Sequence, residues 1–171
     1  NNTAVGTSAL TANTTGANNV AVGQNAIKTN TTGSHNVAVG ASSLALNTTG
    51  SYNSAIGGED TTGYPSLYSN TTGAYNVALG NGALSKNTTA DNNTATGYRA
   101  LYTNTTGASN TAVGYGSLDA NVSGNRAVAI GVNALGSQTF TNSTNNYNVA
   151  VGYGAGESIT TAVQNTIIGG A

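Results

Sequence analysis

Residues equipped for chemistry are few in this chain, and they are scattered. His35 is the only histidine, cysteine is absent, and four basic plus five acidic residues make up 5% of 171 positions, for a net charge of −1. General acid–base catalysis needs paired titratable groups, and a nucleophile needs an activating base. His35 has no plausible catalytic partner, so no enzyme activity is expected. Zero cysteines exclude disulfide staples, thiol catalysis and zinc–thiolate sites. Without a basic patch there is nothing to neutralise phosphates, so no nucleic acid is expected as a partner. The longest apolar run, AVAIGV at 127–132, is far too short to cross a membrane, and no membrane insertion is expected.

Four local patterns invite a functional reading. GYGAGES (152–158) has the look of a phosphate-binding loop, yet no lysine or helix follows it and GYGSL (114–118) is its ordinary sibling. Glu59 and Asp60 form a carboxylate pair, too small a set for a cation site, so neither a metal nor a cofactor is predicted. The Asn-Thr-Thr triplets beginning at Asn13, Asn30, Asn47, Asn70, Asn87 and Asn104 match an N-glycosylation acceptor, but a repeated turn accounts for them equally well. Tyr64, Tyr68, Tyr98, Tyr102 and Tyr115 lie beside polar loops, where aromatic rings can hold a sugar face. They are the candidate glycan-binding residues; shielding of turns is the alternative.

What positions these residues is a repeat. The unit N-x-A-x-G-x-x-A-L-x-x-N-T-T-G-x-x starts at residues 2, 19, 36, 53, 76, 93, 110, 127, 148 and 165, mostly 17 residues apart. Two spacings carry extra residues: six after Gly57, around 58–65, and four after Leu135, around 137–147. Column five is glycine in every unit (Gly6, Gly23, Gly40, Gly57, Gly80, Gly97, Gly114, Gly131, Gly152, Gly169), which predicts a turn with positive φ or a close backbone approach. Columns two to four predict one short strand, columns eight and nine a second, and N-T-T-G the second turn. Such a unit is too short for a stable helix between its turns.

Strands and turns repeating in register describe an all-β chain: a parallel β-solenoid of about ten coils, forming a single repeat domain over 1–171. Each column becomes a ladder of like residues. Asn and Thr ladders are favourable, and the nine charges never place like signs in one column of adjacent coils. Columns four and nine are expected to fill the narrow core. Column three would then lie on the opposite strand face: Ala4, Ala21, Ala38, Ala55, Ala78, Ala95, Ala112, Ala129 and Ala150 read as a subunit-packing stripe. The alternative puts these alanines inside and turns the valines outward.

NVAVGQNAI, NVAVGASSL and RAVAIGVNAL resemble the NSVAIG-type head repeats of trimeric autotransporter adhesins. The longer NTATGYRALYTNTTGASNTAVGYGSL (93–118) resembles shaft repeats of phage-type tail fibres. The resemblance covers essentially the whole chain, although a 17-residue period is longer than the adhesin repeat. It implies a left-handed β-roll assembled as a trimer, placed outside the cell, on its surface or on a virion. The expected role is a stiff shaft or filament segment whose partner is itself, as a homotrimer or a head-to-tail filament. The absence of methionine suggests a processed part of a longer polypeptide. Two other readings stand beside it: a receptor- or glycan-binding adhesin using the inserted loops, and an ice-binding solenoid using Thr14 and Thr15, Thr31 and Thr32, and Thr48 and Thr49.

Overall fold

The structure is a computed structural model describing residues 1–59, 61 and 63–170. Its regular elements, among the described residues, are ten three-residue strands: β1 (Thr3–Val5), β2 (Val20–Val22), β3 (Val37–Val39), β4 (Ser54–Ile56), β5 (Val77–Leu79), β6 (Thr94–Thr96), β7 (Thr111–Val113), β8 (Val128–Ile130), β9 (Val149–Val151) and β10 (Thr166–Ile168). They form one parallel sheet in chain order, each strand pairing with the next. Register follows the repeat, with Ala21 opposite Ala38 and Ala38 opposite Ala55. Across the two insertions it is kept, Ala55 facing Ala78 and Ala129 facing Ala150. The chain is therefore a β-solenoid, and at the usual strand spacing ten coils extend roughly 45 Å.

The strand at columns eight and nine does not form. That segment hydrogen-bonds to the next coil as a strand would, Ile27 N–H donating to Ser43 O at 3.1 Å and Thr29 N–H to Ala45 O at 3.0 Å. Its dihedrals are not extended: Asn25 has φ 57° and Ile27 φ 47°, and Leu44, Leu67, Leu84 and Leu101 repeat the left-handed value. Asn25 occupies the third position of a turn closed by Ala26 N–H to Gly23 O, the place where a type II turn demands positive φ. Non-glycine residues rarely adopt that region, so coil-to-coil hydrogen bonds and a buried leucine must hold them there.

The core also reverses one expectation. Ala21, Ala38, Ala55, Ala78, Ala95, Ala112, Ala129 and Ala150 are completely buried within the single chain, against the leucines of column nine. Column four looks outward, with Val39, Ile56, Val113 and Ile130 exposed. The alanine stripe is thus interior from Ala21 to Ala150 and offers no subunit contact, while Ala4, in the first of the described coils, is exposed. The reason is the distance between the two walls of a coil. Ser43 Oγ reaches across to Ala55 O at 3.0 Å, leaving no room for valine opposite leucine. The last coils exchange the sizes: Ile167 stands in the alanine column and Gly156 in the leucine column, where an added Cβ would lie 2.9 Å from Ile167 Cδ1.

Two glycines show how close neighbouring coils come at the turns. At Gly23, φ is +135° and a Cβ would meet Gly40 O at 2.5 Å. Gly33, in the N-T-T-G turn, has ordinary φ but would press a Cβ to 2.3 Å from Gly50 O and 2.4 Å from Asn30 Oδ1. The first needs glycine for conformation and space; the second is tight but not exclusive, since Ala90 takes the same place and its turn bond from Asn87 is 3.1 Å against 2.9 Å at Gly73.

Candidate functional site

The most ordered chemistry in the molecule is a pair of buried asparagine ladders. In column twelve, from Asn30 to Asn104, the amide nitrogen donates to the preceding coil's amide oxygen: Asn47 to Asn30, Asn70 to Asn47 and Asn87 to Asn70, all at 2.8 Å. The same nitrogen closes its own turn, Asn47 donating to Gly50 O and Asn70 to Gly73 O at 2.9 Å. In column one the oxygen accepts a backbone N–H from the next coil, as Asn19 Oδ1 does from Asn36, while the nitrogen crosses to the N-T-T-G turn, Asn36 donating to Gly50 O. A third ladder runs on the turn itself, Thr31 Oγ1 donating to Thr48 O and Thr71 Oγ1 to Thr88 O at 3.0 Å. Buried amides so satisfied strengthen one another in a low-dielectric interior.

These ladders reposition two sequence motifs. Asn30, Asn47, Asn70, Asn87 and Asn104 are fully buried, so the folded coil does not present these acceptor amides for glycosylation. The exposed Asn142 of Asn142-Ser143-Thr144 matches the same pattern and was legible in the sequence, inside the second insertion. The paired threonines do not make two parallel rows: Thr31 spends its hydroxyl on the ladder, and only the second row, with Thr32, Thr49 and Thr72, stands exposed.

The five candidate tyrosines divide into three places. Tyr64, where the chain returns from the first insertion, meets Tyr102 edge-on with centroids 4.8 Å apart. Lys86 Nζ and Arg99 Cζ lie 4.7 and 4.5 Å from the Tyr102 centroid, and Arg99 pairs with Asp119 at 3.0 Å. Burial first, then neighbouring Tyr64, pushes the Tyr102 phenol up to about 12. Burial also raises the Asp119 carboxyl, against the pull of Arg99 and Lys86. With only 5% of its surface exposed, Tyr102 cannot offer a face to a sugar. Tyr98 and Tyr115 stack at 5.6 Å, and Tyr115 is 55% exposed. Tyr68 is half-buried and apart from both groups. Of the carboxylate pair, Asp60 lies outside the described residues.

The larger aromatic array is one the candidate set omits. His35, Tyr52 and Tyr75 occupy column seventeen on consecutive coils and stack at 4.8 and 5.1 Å, within 5° of parallel. Asn18 Nδ2 lies 3.1 Å from His35 Nε2 at one end. Their shared column was the signal. Further along it, Arg126 Nη1 donates to Tyr147 OH at 2.6 Å. The second insertion is woven into the stack: Ser123 N–H donates to Phe140 O and Asn125 N–H to Thr144 O, both at 2.8 Å.

Gly152, Gly154 and Gly156 of the apparent phosphate loop have φ of 136°, 60° and 63°, the repeat's own turn values, and the chain continues into β10. No family model, curated protein or solved structure matches this chain.

Proposed function

We propose that the chain is a structural shaft or filament segment of an extracellular or virion fibre, working as a stiff homo-oligomeric rod. The observation that carries this reading is the outer face of the ten-stranded sheet. Columns two and four present valine, isoleucine, leucine, threonine and serine on every coil, without a single charge. An uncharged sheet face of this length, with valine, isoleucine or leucine in column four of every strand but β6, is a surface for association. It takes over the subunit-packing role expected of the alanines, and a trimer would bury three such faces about one axis. The hydrogen-bonded ladders supply stiffness, because every coil is tied to the next through both backbone and side chains.

Sedimentation velocity with negative-stain imaging tests this. A discrete species near three times 16.7 kDa supports the trimeric shaft, and long polymers support the filament form. A folded monomer at all concentrations overturns both. A receptor- or glycan-binding role is the second reading, favoured by the exposed Tyr115 and Tyr153. Glycan-array binding that disappears on Tyr115→Ala supports it, and a blank array with the intact chain removes it.

A further inference from the structure

Ten asparagines in the chain open an Asn-x-Ser/Thr acceptor pattern, and seven of them are the column-twelve asparagines from Asn13 to Asn121. The fold gives the same side chains a second task. Asn30, Asn47, Asn70, Asn87 and Asn104 have no exposed surface. Each spends both amide hydrogens, one on the preceding asparagine and one on its own turn. Asn47 Nδ2, for instance, donates to Asn30 Oδ1 at 2.8 Å and to Gly50 O at 2.9 Å. The other three patterns begin at Asn1, Asn92 and Asn142, all exposed.

N-glycan transfer is incompatible with the ladder. It replaces one Nδ2–H bond by a bond to the anomeric carbon of the sugar, while the lipid diphosphate of the donor leaves and the amide proton is lost. At Asn47 this removes either the bond to the buried Asn30 oxygen or the bond that closes the turn. A bulky sugar also needs space that a side chain without exposed surface does not have. We infer that stacking and N-glycosylation exclude one another in this chain: a coil glycosylated while unfolded cannot join the stack, and a stacked coil takes glycan only outside the ladder. Self-assembly does not enter, since the ladder lies within one chain. The consequence for a fibre outside the cell or on a virion is an order of events, in which the coils stack before any N-glycan transferase reaches them. The pattern's third residue offers a handle on this. Thr31 Oγ1, in the middle place, bonds along the ladder, whereas Thr32, in the third place, stands exposed.

Cell-free translation into membrane vesicles that hold an N-glycan transferase tests the exclusion, with the lipid-linked donor present or depleted. In depleted vesicles the wild-type chain is expected to resist a broad-specificity protease. With donor, glycan appears on ladder asparagines and the resistant fraction falls roughly tenfold or more. A variant carrying Thr15→Ala, Thr32→Ala, Thr49→Ala, Thr72→Ala, Thr89→Ala, Thr106→Ala and Ser123→Ala lacks all seven ladder acceptor patterns and keeps every ladder asparagine. Thr106 and Ser123 bond to each other, so both partners go at once. This variant is expected to stay resistant with donor. The converse arm starts from folded wild type, in which purified transferase and donor are expected to leave every ladder asparagine unmodified. Equal resistance with and without donor, ladder glycans on resistant chains, or a loss of resistance in the variant equal to that of the wild type overturns the exclusion.

Discussion

From Asn30 to Asn104 each column-twelve amide donates to the coil before it, and the last of these bonds is only slightly longer, 3.0 Å against 2.8 Å. Past Asn104 the ladder changes. Asn121 still closes its own turn by donating to Gly124 O, but its oxygen and that of Asn104 are buried without a partner, as are Gln138 Nε2 and Asn146 Nδ2. There N-T-T-G has become N-V-S-G, glutamine takes the asparagine position, and Phe140 from the second insertion packs against Gly124. The first insertion has no such effect: Asn70 donates to Asn47 across it as if no residues had been added. An insertion beside column six leaves the polar core alone, whereas one beside the N-T-T-G turn replaces part of it.

The regular stretch is therefore expected to be the more sensitive to substitution. The largest effect should come from its apolar core. Ala95→Ile places a large side chain opposite Leu84 and should cost about 3 kcal/mol by overpacking. Adding Leu84→Gly copies the Ile167–Gly156 arrangement and should recover part of that loss, measured by urea unfolding. If Ala95→Ile is neutral, the narrow-core account is wrong.

Asn70→Ala should cost roughly 2 kcal/mol, since it strands a buried donor on Asn87 and a buried acceptor on Asn47. Asn121→Ala, in the interrupted stretch, should cost less than about 1 kcal/mol, because its oxygen already lacks a partner. Equal losses would erase the difference between the two regions.

The charged cluster where the regions meet gives a pH signature. The Tyr102 phenol is held up to about 12 in the folded chain, so the unfolded chain releases its proton first. Stability is then intact below the ordinary tyrosine value near 10 and falls by roughly 2 kcal/mol as pH rises toward 12. Tyr102→Phe should flatten this part of the profile. The smallest effect belongs to Asp119, whose carboxyl is also raised. Its protonation favours the fold, so stability should rise slightly as pH falls into the carboxylate range, and Asp119→Asn should remove that rise.

Much of the candidate site was legible from column membership alone. Tyr98 and Tyr115 share column six on adjacent coils and do stack. His35, Tyr52 and Tyr75 share column seventeen in the same way, so their stack followed from the repeat as soon as like columns were read as contacts. Tyr64 and Tyr102 belong to different columns. They meet because the first insertion delivers Tyr64 back onto the stack, a route that no spacing specifies.

The sequence by itself determined the length of a coil, the parallel in-register stacking, the places where insertions interrupt it and the glycine turn after every strand. Each of these follows from a repeat that must hydrogen-bond to its own copy one period away. Only the tertiary structure decided which side of the strand faces inward and that the second segment turns instead of extending. Three residues alternating about an alanine read equally well with valine or alanine inside, and hydropathy favours valine. The closeness of the opposite wall, which brings Ser43 Oγ within 3.0 Å of Ala55 O, admits only alanine across from leucine. The turn after each glycine and the coil-to-coil hydrogen bonds hold the leucine segment at left-handed φ, and the valines are left outside.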